Sequence, residues 1–411
     1  MALIRSVGVL TLGQGVSQLI NLAGYALLAR LFTPEEFGIY AIFIGVVSVL
    51  SAVASGRYEM TILLPRLGIH AILAASVAMT LSLVLHSLTL VIVSLFVIFE
   101  IIEAYWVLLP FVSLFSSIIN IGSFVQNRTK KYAQMAWVLV LRSFLFVIVA
   151  YFLGLSVGRG QNLVWAYFSA VTIAGGVVLA LNWKFLLGAN WSYKKCFVWI
   201  RKYIDFLKFS SPAVLVSTLS AQAPIFLLNA FFGAHSAGLY SMIQRVMLAP
   251  VGLIASAVNR VYMQRVAELK YKKNEIWPFT MNLIRYTTLV GLMAIPLAYV
   301  VFDLGILALF FGDKWSALDQ YAAVMLPLVF FALVSSAVAG FAVLGKNKLG
   351  LIYQLFLLIV ICSAVVLTKV FSGAEISVYM AISLALSSVY ICQIVSIILA
   401  TKSVDKGNGY V

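Results

Sequence analysis

Three arginines sit where a lipid bilayer would leave them without water. Arg142 lies near the middle of an apolar stretch, Arg245 about two turns inside another and Arg285 less than two turns inside a third. A cationic side chain at the centre of a membrane helix costs about 2.5–3.5 kcal/mol on insertion scales. No acidic residue lies deep enough in a neighbouring stretch to neutralise all three, so they should face an aqueous cavity, and that cavity should hold an anion. A structural hydrogen bond to a neighbouring helix is the competing use of each. Arginine suits phosphate better than lysine does, because its planar fork binds two oxygens at once. Arg30, Arg57 and Arg260, at the ends of such stretches, extend the set toward both mouths. For these three, snorkelling to the interface is the stronger reading.

Polar companions occur on the same segments: Gln14, Gln18 and Asn21 in the first, Gln222 and Asn229 in the seventh. They can join helices or bind sugar hydroxyls, and joining is the better reading. Glu59, His86 and Asp303 are the candidates for carrying a coupling ion. There is no HExxH, GxSxG or Walker motif, and the three histidines fall in different segments. Cys196, Cys362 and Cys392 are scattered without metal-ligand spacing. Neither catalysis nor a metal or other cofactor is expected, and the short external loops leave no room for a catalytic domain.

The elements that would hold these residues follow from composition. The chain is 63% hydrophobic and only 10% charged, against about 25% charged in soluble domains. It belongs in a bilayer. Its first apolar stretch, Leu10–Phe32, is too long for a signal peptide and is expected to remain as a span. A span takes ~20 apolar residues, which divides the chain into twelve segments ending with Ser377–Ala400. Lipid offers no partner for an unpaired backbone group, so the segments should be helices.

The formal net charge of +15 would suggest nucleic acid in a soluble protein. Here most basic residues fall on one side of the alternating segments, while Glu35, Glu36, Glu100, Glu103, Asp303, Asp313, Asp319 and Glu375 fall on the other. The positive-inside rule then makes both termini cytoplasmic, as an even number of spans also demands. Anionic membrane lipids, not nucleic acid, are the partners this charge predicts.

LLARLFTPEEFGIY, Leu27–Tyr40, returns as LLNAFFGAHSAGLY, Leu227–Tyr240, with identity at Leu27/Leu227, Leu28/Leu228, Phe32/Phe232, Gly38/Gly238 and Tyr40/Tyr240. Six segments separate the copies, so the halves share one topology and are related by an axis along the membrane normal. Residues 1–188 are expected to form one bundle and 209–411 the other. Residues 189–208 should be a basic interfacial helix, with Phe197, Ile200, Ile204 and Leu207 on its apolar stripe and Lys194, Arg201 and Lys208 on a second face. Thr33-Pro34-Glu35-Glu36 reads as a helix start with hydroxyl cap, proline and acids. Pro212, Pro224 and Pro296 mark kinks.

LLARLFTPEEFGIY running into GRYEMTILLP (Gly56–Pro65), AGLYSMIQRVMLAP (Ala237–Pro250), and FFGDKWSALDQYAAVMLPLVFF (Phe310–Phe331) leading to LGKNKLGLIYQ (Leu344–Gln354) carry a family resemblance. Together they resemble the bacterial oligosaccharide (O-antigen) flippases, in the superfamily that includes the multidrug and toxin extrusion exporters. The resemblance implies an all-α membrane protein with twelve transmembrane helices in two six-helix bundles around a central cavity. It implies translocation of an undecaprenyl-diphosphate-linked oligosaccharide from the cytoplasmic to the periplasmic leaflet of the inner membrane, by alternating access. Arg57, Glu59 and Arg245 occupy its motif positions. Polysaccharide polymerase and chain-length proteins enter as partners on the same ground. An exporter of another anionic or amphiphilic substrate is the alternative; a cation exporter would favour buried acids, which the first and seventh segments lack.

Overall fold

A computed structural model describes residues 2–156, 160–186, 193–272, 274–338, 340, 341, 344 and 347–405. They form helices joined by short turns, with no β-strand among the described residues. The chain divides by contacts into two compact units, one of residues 1–32 and 39–219, the other of residues 33–38 and 220–411.

The first unit contains α1 (Ala2–Leu31), α3 (Gly68–Ile98), α4 (Leu108–Arg128), α5 (Tyr132–Leu155), α6 (Asn162–Leu186) and α7 (Tyr193–Lys202), with most of α2 (Pro34–Val53). Packing runs from α1 to α5, α5 to α6, α6 to α4 and α4 to α3. Its core is built from small and branched residues: Ala71, Ala74, Ala75 and Ala78 of α3 meet Ile118, Ile121 and Val125 of α4 and Ala174 and Val178 of α6. Alanine on one face lets helix backbones approach closely, which stabilises contact where lipid supplies no hydrophobic drive.

Most of α8 (Ser211–Ile243) lies in the second unit with α9 (Ala249–Tyr271), α10 (Trp277–Asp303), α11 (Ile306–Phe311), α12 (Leu318–Val324), α13 (Leu326–Ala337), α14 (Asn347–Phe371) and α15 (Glu375–Ser403). Here α13 packs on α9, α10 and α15, and α14 on α15. Two aspartates cap helix starts from afar. Asp319 accepts from the backbone N–H groups of Leu307 and Ala308 at 3.0 and 2.8 Å, and Asp405 from those of Ile276 and Trp277, the latter at 2.7 Å. Each carboxylate meets the positive end of a helix dipole.

By length and composition, nine helices among the described residues could cross a membrane, or ten if the pair bent by 56° at Met325 is one span. The expected twelve therefore do not come out of length and composition alone. One of the nine is the 66-residue stretch Phe206–Tyr271, about 100 Å long at ~1.5 Å per residue and so enough for two crossings. It turns at Gly233, whose φ of 86° is left-handed. Gln14, Gln18 and Asn21 lower the hydropathy of α1, which falls outside the set.

The repeated turn has a packing reason. A Cβ on Gly38 would lie 1.9 Å from the carbonyl oxygen of Ala234, and one on Gly238 would lie 1.7 Å from that of Pro34. Each glycine thus receives the backbone of the other copy's turn, and residues 33–38 join the second unit. The first copy starts α2 with a capping box: the Thr33 N–H donates to Glu36 Oε2 at 2.8 Å and the Glu36 N–H to Thr33 Oγ1 at 3.4 Å.

Candidate functional site

The GRYE segment folds into a buried knot after α2. Gly56 and Arg57 both take left-handed φ, 57° and 65°, and this reverses the chain into a short 3-10 turn, Tyr58–Leu63. Glu59 is fully buried. Its Oε1 receives Arg57 Nη1 at 3.2 Å and its Oε2 receives the Ser55 hydroxyl. A second Arg57 nitrogen meets Met60 Sδ at 3.1 Å. The two residues offered by the motif as substrate cation and coupling acid are therefore bonded to each other in this structure.

The surrounding contacts were not legible in the sequence. Arg128, at the end of α4, donates to the carbonyls of Ile62 and Pro65 at 2.9 and 2.8 Å. Tyr58 donates to the Ile200 carbonyl at 2.9 Å. Burial pushes the Tyr58 hydroxyl up from its ordinary pKa, so it remains a donor at neutral pH. Trp199 Nε1–H donates to Thr61 Oγ1 at 3.3 Å. These bonds join the knot to α7, which turns Cys196, Trp199 and Ile200 toward the core, with Tyr203 just after its end. Of the expected apolar stripe, Phe197 and Leu207 are exposed and Ile200 packs against this core. The indole of Trp199 finds both a core and a hydroxyl, while Phe197, two residues earlier, falls on the opposite face of the helix.

On α1 and α5 a polar layer forms. The hydroxyls of Ser17 and Ser143 lie 2.7 Å apart in the buried seam, so the joining role expected of polar side chains is filled by serines. With Gly13 against Ala136 and Gly24 against Val147 along the same seam, Gln18 and Asn21 fall near the level of Arg142. All three are half-buried. Arg142 has no carboxylate within ion-pair distance among the described residues. Arg30, at the end of α1, is exposed.

In the second unit Arg245 stands in a one-turn π-helix, Gln244–Leu248, between α8 and α9. Its guanidinium carbon lies 5.8 Å from the centre of the Phe37 ring, which packs edge-on against Trp315 at 5.2 Å. Both rings are fully buried, an arrangement that stabilises a cation against the ring face. The π-turn precedes Pro250, whose missing N–H cannot bond the Val246 carbonyl and whose ring crowds it. A second π-turn, Phe206–Ser210, precedes Pro212 in the same way. Gln222 and Asn229 are half-buried on α8, while Arg260 and Arg285 are exposed on α9 and α10.

His86 is enclosed within α3, with 3% of its surface exposed. Its Nδ1 lies 2.6 Å from the Ser82 carbonyl, which can only accept, so the neutral ring carries its proton there. Nε2 then offers a buried lone pair, with no partner among the described residues. Asp303 is exposed at the end of α10. No cluster of three or more potential metal ligands occurs among the described residues.

Comparison with known proteins identifies the chain's kin. Residues 27–320 match the model of a family described as polysaccharide biosynthesis protein. The chain belongs to this family. A relative, the teichuronic acid biosynthesis protein TuaB of Bacillus subtilis (strain 168), is 27% identical over 124 residues, 29% of this chain and 24% of its own length. The match thus spans about a quarter of that relative. Among solved structures, an inward-facing multidrug resistance MATE family transporter of the MOP superfamily superposes with a TM-score of 0.74 at 17% identity, covering 96% of each chain. The lipid II flippase MurJ, in an inward closed conformation, gives 0.72 at 14% identity over 97% of this chain and 91% of its own. The chain is thus a multi-pass, all-α membrane protein with the fold of these transporters. The glycine turns, the GRYE knot and the Arg245 π-turn all lie within the matched residues.

Proposed function

We infer that the protein is a flippase for an undecaprenyl-diphosphate-linked oligosaccharide, such as an O-antigen or other surface polysaccharide repeat unit. It resides in the bacterial inner membrane with both termini cytoplasmic and moves its substrate from the cytoplasmic to the periplasmic leaflet. The observation that carries this reading is Arg142: a half-buried guanidinium in mid-helix, near the level of Gln18 and Asn21 and without a carboxylate counter-charge among the described residues. A lipid diphosphate supplies two such charges, and amide side chains beside it suit sugar hydroxyls. Membership of a polysaccharide biosynthesis family supports the glycan, and the fold shared with a lipid II flippase supports the lipid carrier.

The proposed architecture is two six-helix halves, residues 1–188 and 209–411, alternating in access around a central cavity to which Arg142, Arg245 and Arg285 contribute. Arg57, Arg30 and Arg260 would guide the anion at the mouths. A potential positive outside favours outward movement by about 2.3 kcal/mol per negative charge per 100 mV. His86, with its buried Nε2, is the proton carrier best supported by geometry, and transport by His86→Asn should lose its response to an imposed pH gradient.

The test is translocation of fluorescent lipid-linked oligosaccharide in proteoliposomes. Arg142→Ala should lower the rate at least tenfold, while Arg142→Lys should keep part of it, since charge survives and the fork does not. Wild-type rates from Arg142→Ala would remove the reading's main support. A wild-type protein that exports amphiphilic anions but ignores the lipid-linked glycan would favour the exporter alternative.

A further inference from the structure

Beside the GRYE knot, the first unit carries an open groove of about 1180 Å³ between the chain leading into α3, the first turn of α3 and α7. Its cations are Arg66, Lys194, Lys195 and Lys202, with His70 and Tyr203 also in the lining, and no carboxylate lines it among the described residues. Its apolar wall is open to the surroundings: Leu67, Ile69 and Val198 are 62%, 71% and 65% exposed. Three such side chains beside four cations form a surface that water covers poorly and an amphiphilic anion covers well. The floor is rigid. Trp199 is bonded to Thr61 and Tyr58 to the Ile200 carbonyl, and Lys202 lies over the rings of Trp199 and Tyr203 at 5.7 and 5.2 Å.

We propose that this groove is a docking site for an acidic phospholipid of the cytoplasmic leaflet, its headgroup phosphate held by Arg66, Lys194, Lys195 and Lys202 and its acyl chains lying along Leu67, Ile69 and Val198. The site lies within the first unit alone and depends on the proposed function only for the side of the membrane it faces. Charge complementarity selects an anion, and the apolar wall selects one with a tail. The transported glycan is a poorer occupant, because the groove's described lining is mainly apolar side chains and cations, with no carboxylate to accept from sugar hydroxyls. Lysines dominate the cluster, and they attract a phosphodiester as point charges, without the bidentate fork of arginine. Because the floor is bonded to the knot that encloses Arg57 and Glu59, a bound lipid would brace α7 against the end of α2.

The experiment is native mass spectrometry of the full chain released from detergent with equal amounts of phosphatidylglycerol and phosphatidylcholine. Wild type should retain phosphatidylglycerol preferentially. At about 1 kcal/mol per basic residue near an anionic headgroup, Lys194→Gln, Lys195→Gln and Lys202→Gln together should weaken that retention about a hundredfold. The matching triple lysine-to-arginine variant should stay within a few-fold of wild type, as should Lys402→Gln, an exposed lysine on α15. Binding of the two lipids alike, or undiminished retention in the glutamine variant, would overturn the proposal. So would displacement by inorganic diphosphate, marking a free-phosphate site, or preferential capture of undecaprenyl diphosphate, marking a substrate site. None of these readouts requires transport, so a failure here leaves the flippase reading standing, and the reverse.

Discussion

Glu59 shares its two oxygens between Ser55 and Arg57 while having no exposed surface, so its replacement leaves two polar groups unsatisfied. Glu59→Ala should lower stability by about 1–3 kcal/mol, the usual consequence of orphaning buried hydrogen-bonding groups; Arg57 is 21% exposed, and solvent screening keeps the loss toward the lower end. Glu59→Gln retains an acceptor for Ser55 and should lose less. Thermal unfolding in detergent reads both, and transport lost from Glu59→Gln at unchanged stability would instead make the carboxylate part of the coupling. Arg57 and Glu59 could be found from the motif, two residues apart. Arg128 could not, because its partners are backbone carbonyls whose positions exist only after the knot has formed.

Gly38 and Gly238 show why glycine stands at the same place in both copies of the turn. Each packs at a separation where a methyl group meets a carbonyl oxygen of the other turn, and backbone cannot yield as a flexible side chain can. Gly38→Ala or Gly238→Ala should cost at least about 1–3 kcal/mol through overpacking, seen as lower thermal stability. Gly8→Ala, which meets nothing nearby, should not. The π-turn at Gln244–Leu248 gives a second prediction. Pro250→Ala restores a donor for the Val246 carbonyl and allows a regular helix, which shifts the phase of Arg245 relative to Phe37. Proteoliposome translocation should fall while thermal stability is unchanged or raised. The signal for this turn was present in the sequence as Pro250, but a proline near a helix start is also an ordinary N-terminal residue, and only the helix continuing from Ala237 distinguishes the two.

Apolar composition and helix length make this a membrane protein whichever way it faces; its orientation rests on the distribution of charge. In a variant with Cys196, Cys362 and Cys392 replaced by serine, Ser372→Cys lies between α14 and α15 and Ser403→Cys at the end of α15. A membrane-impermeant maleimide added to intact spheroplasts should modify the first and spare the second until the membrane is opened. The reverse pattern would invert the proposed direction of transport and move the phospholipid groove to the other leaflet.

The bilayer setting, the helical form of the segments, the paired turns and the arginines within apolar stretches were all determined by the sequence itself, since each follows from local hydropathy, local charge or direct identity between segments. The tertiary structure alone decided which groups meet. It paired Arg57 with Glu59 in a turn, seated each repeat glycine against the other copy's backbone, and turned Trp199 rather than Phe197 toward the core. The physical reason is that a hydrogen bond such as Trp199 to Thr61, or Tyr58 to Ile200, needs two positions far apart in the chain to coincide, and no local pattern encodes that coincidence.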